Sequence, residues 1–100
     1  MKLQPHLIEG ELAGYTHWCP ACNELHAIAV GKPNRSGAVW TFNGDLESPT
    51  FTPSVRCFTI DDDGKRETLC HYFITNGQIV YCSDNPHALN GQTVELPDRE

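Results

Sequence analysis

Apolar and polar side chains alternate most regularly in LCHYFITNGQIVYCS, residues 69–83, on either side of an Asn76-Gly77 dipeptide. Period-2 alternation predicts strands, and Asn-Gly between two β-rich runs predicts a two-residue type I′ hairpin turn. Counting outward from the turn pairs Thr75 with Gln78, Ile74 with Ile79, Phe73 with Val80 and Tyr72 with Tyr81. His71 then faces Cys82, and Cys70 faces Ser83. Alternation places Cys70, Tyr72 and Ile74 on one face of the hairpin, with His71 and Phe73 on the other.

Shorter patterns fill in the rest. ELAGYTHW (11–18) and HAIAV (26–30) predict two strands flanking a Cys-Pro-Ala-Cys turn, and 31–37 predicts a loop. Residues 38–42 predict a strand closed by the Asn43-Gly44-Asp45 turn. Pro49 and Pro53 force SPTFTPS into an extended or edge conformation. A strand over 55–60 leads into an Asp61-Asp62-Asp63-Gly64-Lys65 hairpin tip, whose carboxylates lack the D-x-D-x-D-G spacing of a calcium loop. Asp84 to Gly91 predicts one short helical turn: Asp84 or Asn85 caps it, Pro86 takes the first position and Gly91 ends it. QTVELP predicts a last strand. The expected fold is a β-rich α+β domain of short antiparallel strands and hairpins, one unit over residues 1–100.

The chemistry concentrates in His17-Trp18-Cys19-Pro20-Ala21-Cys22-Asn23-Glu24-Leu25-His26. Two cysteines two residues apart can bind one zinc ion from a single tight turn. Pro20 stiffens that turn, and Asn23 suits the positive φ such a turn demands. A closed site needs a second pair of ligands, and the hairpin offers one. Cys70 lies at its end, opposite Ser83, and His87 follows four residues after Ser83. The expected site is therefore a Cys₃His zinc centre of Cys19, Cys22, Cys70 and His87. His26 and His71 are rival fourth ligands, although Cys70 and His71 point to opposite faces of a regular strand. Cys57 and Cys82 read as small buried hydrophobes.

Composition narrows the functional classes. Thirteen acidic against seven basic residues give a formal charge of −6, which argues against a nucleic-acid-binding surface of clustered Lys and Arg. No apolar run approaches the roughly 20 residues that span a bilayer. With no secretory h-region at the start, the expected location is the cytoplasm, where five cysteines point to metal or free thiols rather than disulfides.

Three functions compete. The first is a binding module stapled by structural zinc and acting on a protein partner. The second is a zinc-dependent hydrolase, with Glu24 or Asp84 as general base beside an ion that keeps a position open for water. The third is a CxxC thiol oxidoreductase. That chemistry needs Cys19 at a helix N-terminus within a βαβ framework, and the pattern lacks one. Four protein ligands would close the ion to water, which favours the first and leaves no residue assigned to catalysis.

The runs HWCPACNELHAI, VWTFNGDLESPTFTPSV, CHYFITNGQIVY and SDNPHALNGQTVELPD together resemble a family of small phage and prophage Cys/His-rich proteins, often labelled ammonia monooxygenase. The resemblance spans roughly residues 15–98. It places the family's Cys and His positions at Cys19, Cys22, His26, Cys70, His71 and His87, with Asn23 where Gly is usual and Asn90 where Ala is usual. It implies a zinc-binding protein that modulates a host or phage protein in the host cytoplasm. Monooxygenase chemistry of that kind belongs to a membrane-embedded, multi-subunit copper enzyme, for which this chain has neither the length nor a membrane segment.

Overall fold

In the computed structural model, which describes residues 1–99, the Asn-Gly hairpin forms as the alternation predicts. Asn76 and Gly77 take φ of 49° and 78°, the left-handed pair that a type I′ turn requires. Around them β6 (Arg66–Thr75) and β7 (Gln78–Tyr81) pair from Thr75–Gln78 to Tyr72–Tyr81. The ladder stops there. The Cys82 N–H still donates to the His71 carbonyl at 3.0 Å, but the expected Cys70–Ser83 pairing is replaced by a loop.

This hairpin sits inside a five-stranded antiparallel sheet of order β4-β5-β6-β7-β8, completed by β4 (Thr41–Phe42), β5 (Phe51–Ile60) and β8 (Thr93–Glu95). A second antiparallel sheet holds β1 (Gln4–Ile8), β2 (Glu11–Cys19) and β3 (Glu24–Ala29), and an isolated Val30–Trp40 bridge follows β3. Strand β1 has no counterpart in the sequence expectations, because Pro5 and a solvent-facing pattern hide it. Trp40 makes only that bridge, so the strand expected over 38–42 shrinks to two residues. Gly14 is required where β2 meets β3: a Cβ there would lie 1.9 Å from the Ile28 carbonyl oxygen.

The expected helical turn at 84–91 does not form, and no helix occurs among the described residues. The fold is antiparallel β rather than α+β. The cause lies in Asn85. Its side chain does not cap a helix but hydrogen-bonds the strand: Oδ1 accepts from the His71 N–H at 2.6 Å, and Nδ2 donates to the carbonyls of His71 (2.8 Å) and Cys82 (2.7 Å). Tight turns replace the helix, with Asn90 N–H on the His87 carbonyl and Gln92 N–H on that of Leu89. Among the described residues, therefore, no helix is long and apolar enough to cross a membrane.

Burial sorts the faces. Cys70, Tyr72 and Ile74 of β6 are fully buried with Ile79, Phe51, Ile28 and Leu96, whereas His71 and Phe73 lie on the outer face. Part of the interior is polar. His17 and His26, cross-strand partners on β2 and β3, both reach the Tyr72 hydroxyl, through Nε2 at 2.6 Å and Nδ1 at 2.9 Å. A hydroxyl has one proton, so it donates to one ring and accepts from the other. Burial, then the neighbouring His26, holds His17 down to about 4, so it is neutral at physiological pH. His17 is thus a buried core residue.

Candidate functional site

Two clusters of reactive side chains occupy opposite faces of β6. The first is on the inner face, where Cys19 ends β2, Cys22 lies in the turn and Cys70 faces them from β6. The three sulfurs lie within 4.8 Å of one another and could hold a metal ion. Asn23, just after the turn, takes φ of 55° and donates its N–H to the Cys19 carbonyl at 2.8 Å, the conformation expected of it.

Cys19 and Cys70 are 3.9 Å apart, and His87 Nε2 is 3.4 Å from the Cys70 sulfur. His87 Nδ1 is buried with no hydrogen-bond partner among the described residues. The thiols compete for protons. A hydrogen bond from Cys70 draws Cys19 down to about 4, while Cys70 is itself pushed up by that bond, and burial pushes Cys22 up to about 11. Only one of the three carries charge comfortably without a cation. A divalent ion would hold all three as thiolates.

His26 lies aside from this group. Its Nδ1 bonds Tyr72, and its Nε2 is 3.6 Å from Glu24, so it joins Cys22 and Glu24 in a separate trio. Cys57 pairs with Cys70 across the sheet but faces His26 at 3.8 Å, and burial pushes it up to about 11.

The second cluster is on the outer face. His71 Nε2 is 3.1 Å from Ser54 Oγ, and His71 Nδ1 is 3.1 Å from both oxygens of Asp84. The protons on this chain follow from chemistry. A carboxylate only accepts, so Nδ1 carries the hydrogen; Nε2 of the neutral ring is then bare and accepts from the Ser54 hydroxyl. Asp84 is held below the usual carboxylate range, first by its hydrogen bond to His71 and with help from Arg56, so it is ionised at neutral pH. Cys82 completes a possible donor trio with His71 and Asp84, but both His71 nitrogens are already engaged.

Local structure explains why these three meet. Between the Phe51–Ile74 and Val55–Tyr72 pairs, β5 carries three residues where β6 carries one, so the strand bulges at 52–54. Val55 is buried, so its neighbours Ser54 and Arg56 turn their side chains outward, to the face that carries His71. The Ser54 carbonyl is pinned by the Trp40 indole N–H at 3.1 Å. Asn85 grips the His71 backbone through both its N–H and its C=O, which docks the 84–91 loop with Asp84 beside the imidazole. Sequence reasoning missed this cluster. Its available signal was His71 itself, turned away from Cys70 by strand alternation.

The model of the family described as "Bacterial ubiquitination-like system serine protease (BubE)" matches residues 3–82. The chain belongs to this family. Ser54 and His71 fall within the BubE match, and Asp84 lies two residues beyond it. None of the curated proteins and none of the solved structures matches the chain.

Proposed function

We propose that the chain is a serine peptidase of the BubE type, with Ser54 as nucleophile, His71 as general base and acid, and Asp84 as the group that orients His71. The observation that carries this is the Ser54–His71–Asp84 chain of 3.1 Å hydrogen bonds, in a chain of a family described as serine proteases. Such constellations are identified by geometry and roles rather than by position in the sequence.

Ser54 Oγ attacks the scissile carbonyl as its proton passes to His71 Nε2. The imidazolium then gives that proton to the departing amine nitrogen as the C–N bond breaks, leaving an acyl ester on Ser54. Water attacks the ester, giving a proton to Nε2, and Ser54 leaves with that proton. Asp84 fixes the Nδ1–H tautomer and stabilises the charged ring without itself taking the proton. The family description makes a protein of a bacterial ubiquitination-like system the proposed substrate.

The metal is proposed as structural zinc held by Cys19, Cys22, Cys70 and His87. In a tetrahedron with Zn–S bonds near 2.3 Å and Zn–N bonds near 2.05 Å, ligand atoms stand about 3.8 Å (S to S) and about 3.6 Å (S to N) apart. Two of the six edges are met, Cys19–Cys70 at 3.9 Å and Cys70–His87 at 3.4 Å; the mutually close group is Cys19, Cys22 and Cys70, so His87 must turn toward Cys19 and Cys22 to complete the tetrahedron. Four ligands leave no position for water, and the ion would lie on the face of β6 opposite Ser54. It supplies cross-linking rather than chemistry. A protein-binding module without catalysis, expected from the sequence, shares the zinc but leaves the outer cluster unexplained.

Asp84→Asn tests the roles. The amide can donate to Nδ1 and so favours the wrong tautomer. Turnover of p-nitrophenyl acetate is expected to fall on the order of 10³-fold, less than the roughly 10⁴ typical of a buried aspartate, because Asp84 is solvent-exposed. The thermal midpoint is expected to move by only a few degrees. Turnover within a few-fold of the unmodified protein would remove Asp84 from the mechanism.

A further inference from the structure

Strand β5 is bordered by β6 on one side, but on the other side β4 reaches only Phe51 and Thr52. Which backbone groups face the open side follows from hydrogen bonds already described. The His71 carbonyl accepts from Cys82 N–H and the His71 N–H donates to Asn85, so both His71 groups point away from β5. Alternation then turns those of Cys70 and Tyr72 toward β5, where they meet Cys57 and Val55.

Arg56, opposite His71, therefore directs its own N–H and C=O outward to the open edge. The Ser54 carbonyl points to that same side, as its bond from Trp40 shows. Phe58 and Ile60 continue the series, because the irregularity after Cys57 puts the extra residue, Leu69, on β6 rather than on β5. At the far end Asp61 N–H turns back to the Lys65 carbonyl, in phase with this alternation.

We propose that this open edge, from Arg56 to Ile60, is the substrate-binding strand: it takes an extended segment of the polypeptide substrate by strand addition, with Arg56 supplying the backbone pair nearest the reacting bond. The inference rests on Ser54 being the nucleophile. Two residues of strand span about 6.6 Å. A substrate strand paired with Arg56 thus brings a peptide carbonyl one or two residues along to Ser54 Oγ, on the face that carries His71. Up to Ser54 the edge is closed by β4, Pro53 and Trp40; beyond it no strand among the described residues pairs it. Long unpaired edges invite pairing with another chain. This one begins at the nucleophile, and main-chain hydrogen bonding there would hold a chain extended while its side chains alternate over the face. The ligand class is an unfolded tail or linker rather than a folded surface.

Arg56→Pro removes the outward N–H without touching a bond to β6, and proline is tolerated on strand edges. Arg56→Ala keeps the N–H and removes the guanidinium with its 2.7 Å bond to Thr68, so it controls for the side chain. The two variants are compared on reduced, carboxymethylated α-lactalbumin, an unfolded chain, and on p-nitrophenyl acetate, which is too small to pair with a strand. Relative to Arg56→Ala, Arg56→Pro is expected to lose at least ten-fold more kcat/KM on the unfolded chain than on the ester. Equal losses on both substrates, or failure of the unmodified protein to cleave the unfolded chain while it turns over the ester, would overturn the proposal. Amide exchange in Ser54→Ala gives a second readout that does not depend on catalysis. The Arg56 N–H is expected to become protected when the unfolded chain is added, and unchanged exchange overturns the edge. Protection that appears without added chain and scales with protein concentration would assign the edge to a second copy and also overturn it. Ester turnover that survives Ser54→Ala would instead refute the serine-peptidase assignment, leaving the exchange result to judge the edge alone.

Discussion

Ser54→Ala is expected to lower turnover of both peptide and ester substrates by at least about 10⁴-fold, with folding intact. The magnitude follows from the way a nucleophile and its base act as one unit: removing either forfeits nearly all of the covalent route, and what remains is binding and polarisation. Stability should change little, because Ser54 lies on the outer face and its hydroxyl bonds only His71, a partner that water can replace. His71→Ala should match Ser54→Ala in size. Adding it to Ser54→Ala should cost little more, since the two losses are the same loss. Steady-state kinetics on the two single variants and the double variant check this. Additive losses would mean that Ser54 and His71 work independently.

Removing the proposed zinc is expected to have the largest effect on the fold. Cys70 precedes His71 directly, and His87 follows Asp84 by three residues, so an ion bound by Cys70 and His87 ties together the two segments that carry the outer cluster. Through the same ion, Cys19 and Cys22 would tie the three-stranded sheet to that point. Structural zinc in small domains is worth about 10 kcal/mol or more, comparable to the whole stability of a chain this size. Chelation, or Cys70→Ser, should therefore abolish the cooperative unfolding transition and the turnover together, and release about one zinc ion per chain. His87→Ala should weaken retention of the ion more than His26→Ala, because His26 is committed to Tyr72. Circular dichroism melts combined with metal analysis decide this. A chelated protein that kept its cooperative melt would show the cysteine cluster to be dispensable.

The sequence carried the strands well where local chemistry was decisive. Asn76-Gly77 set the register of β6 and β7 almost alone, and the same alternation separated Cys70 from His71. Asn23 showed its positive φ in advance. What stayed hidden depended on long-range or compensating contacts. Asp84-Asn85-Pro86 has every local mark of a helix start, yet Asn85 finds better partners in the backbone of His71, fourteen residues away, than in a helical turn. Ser54 lies in a Pro-flanked run with no G-x-S-x-G elbow to announce a nucleophile. Its hydroxyl acquires meaning only through a bulge in β5, and no periodicity encodes a bulge. Asp84 looked like a cap or a base for a metal-bound water; the structure gives it a histidine to hold. The Cys19–Cys22 part of the cysteine cluster was legible from spacing, because a CxxC turn is local, whereas a serine and a histidine seventeen residues apart on neighbouring strands are not.

The most direct test of the central claim is labelling with a fluorophosphonate, which phosphonylates serines activated as nucleophiles, followed by peptide mass mapping. One adduct per chain is expected, on Ser54, absent in Ser54→Ala and strongly slowed in His71→Ala. An adduct on another residue, or none on protein that is folded and loaded with zinc, would contradict it.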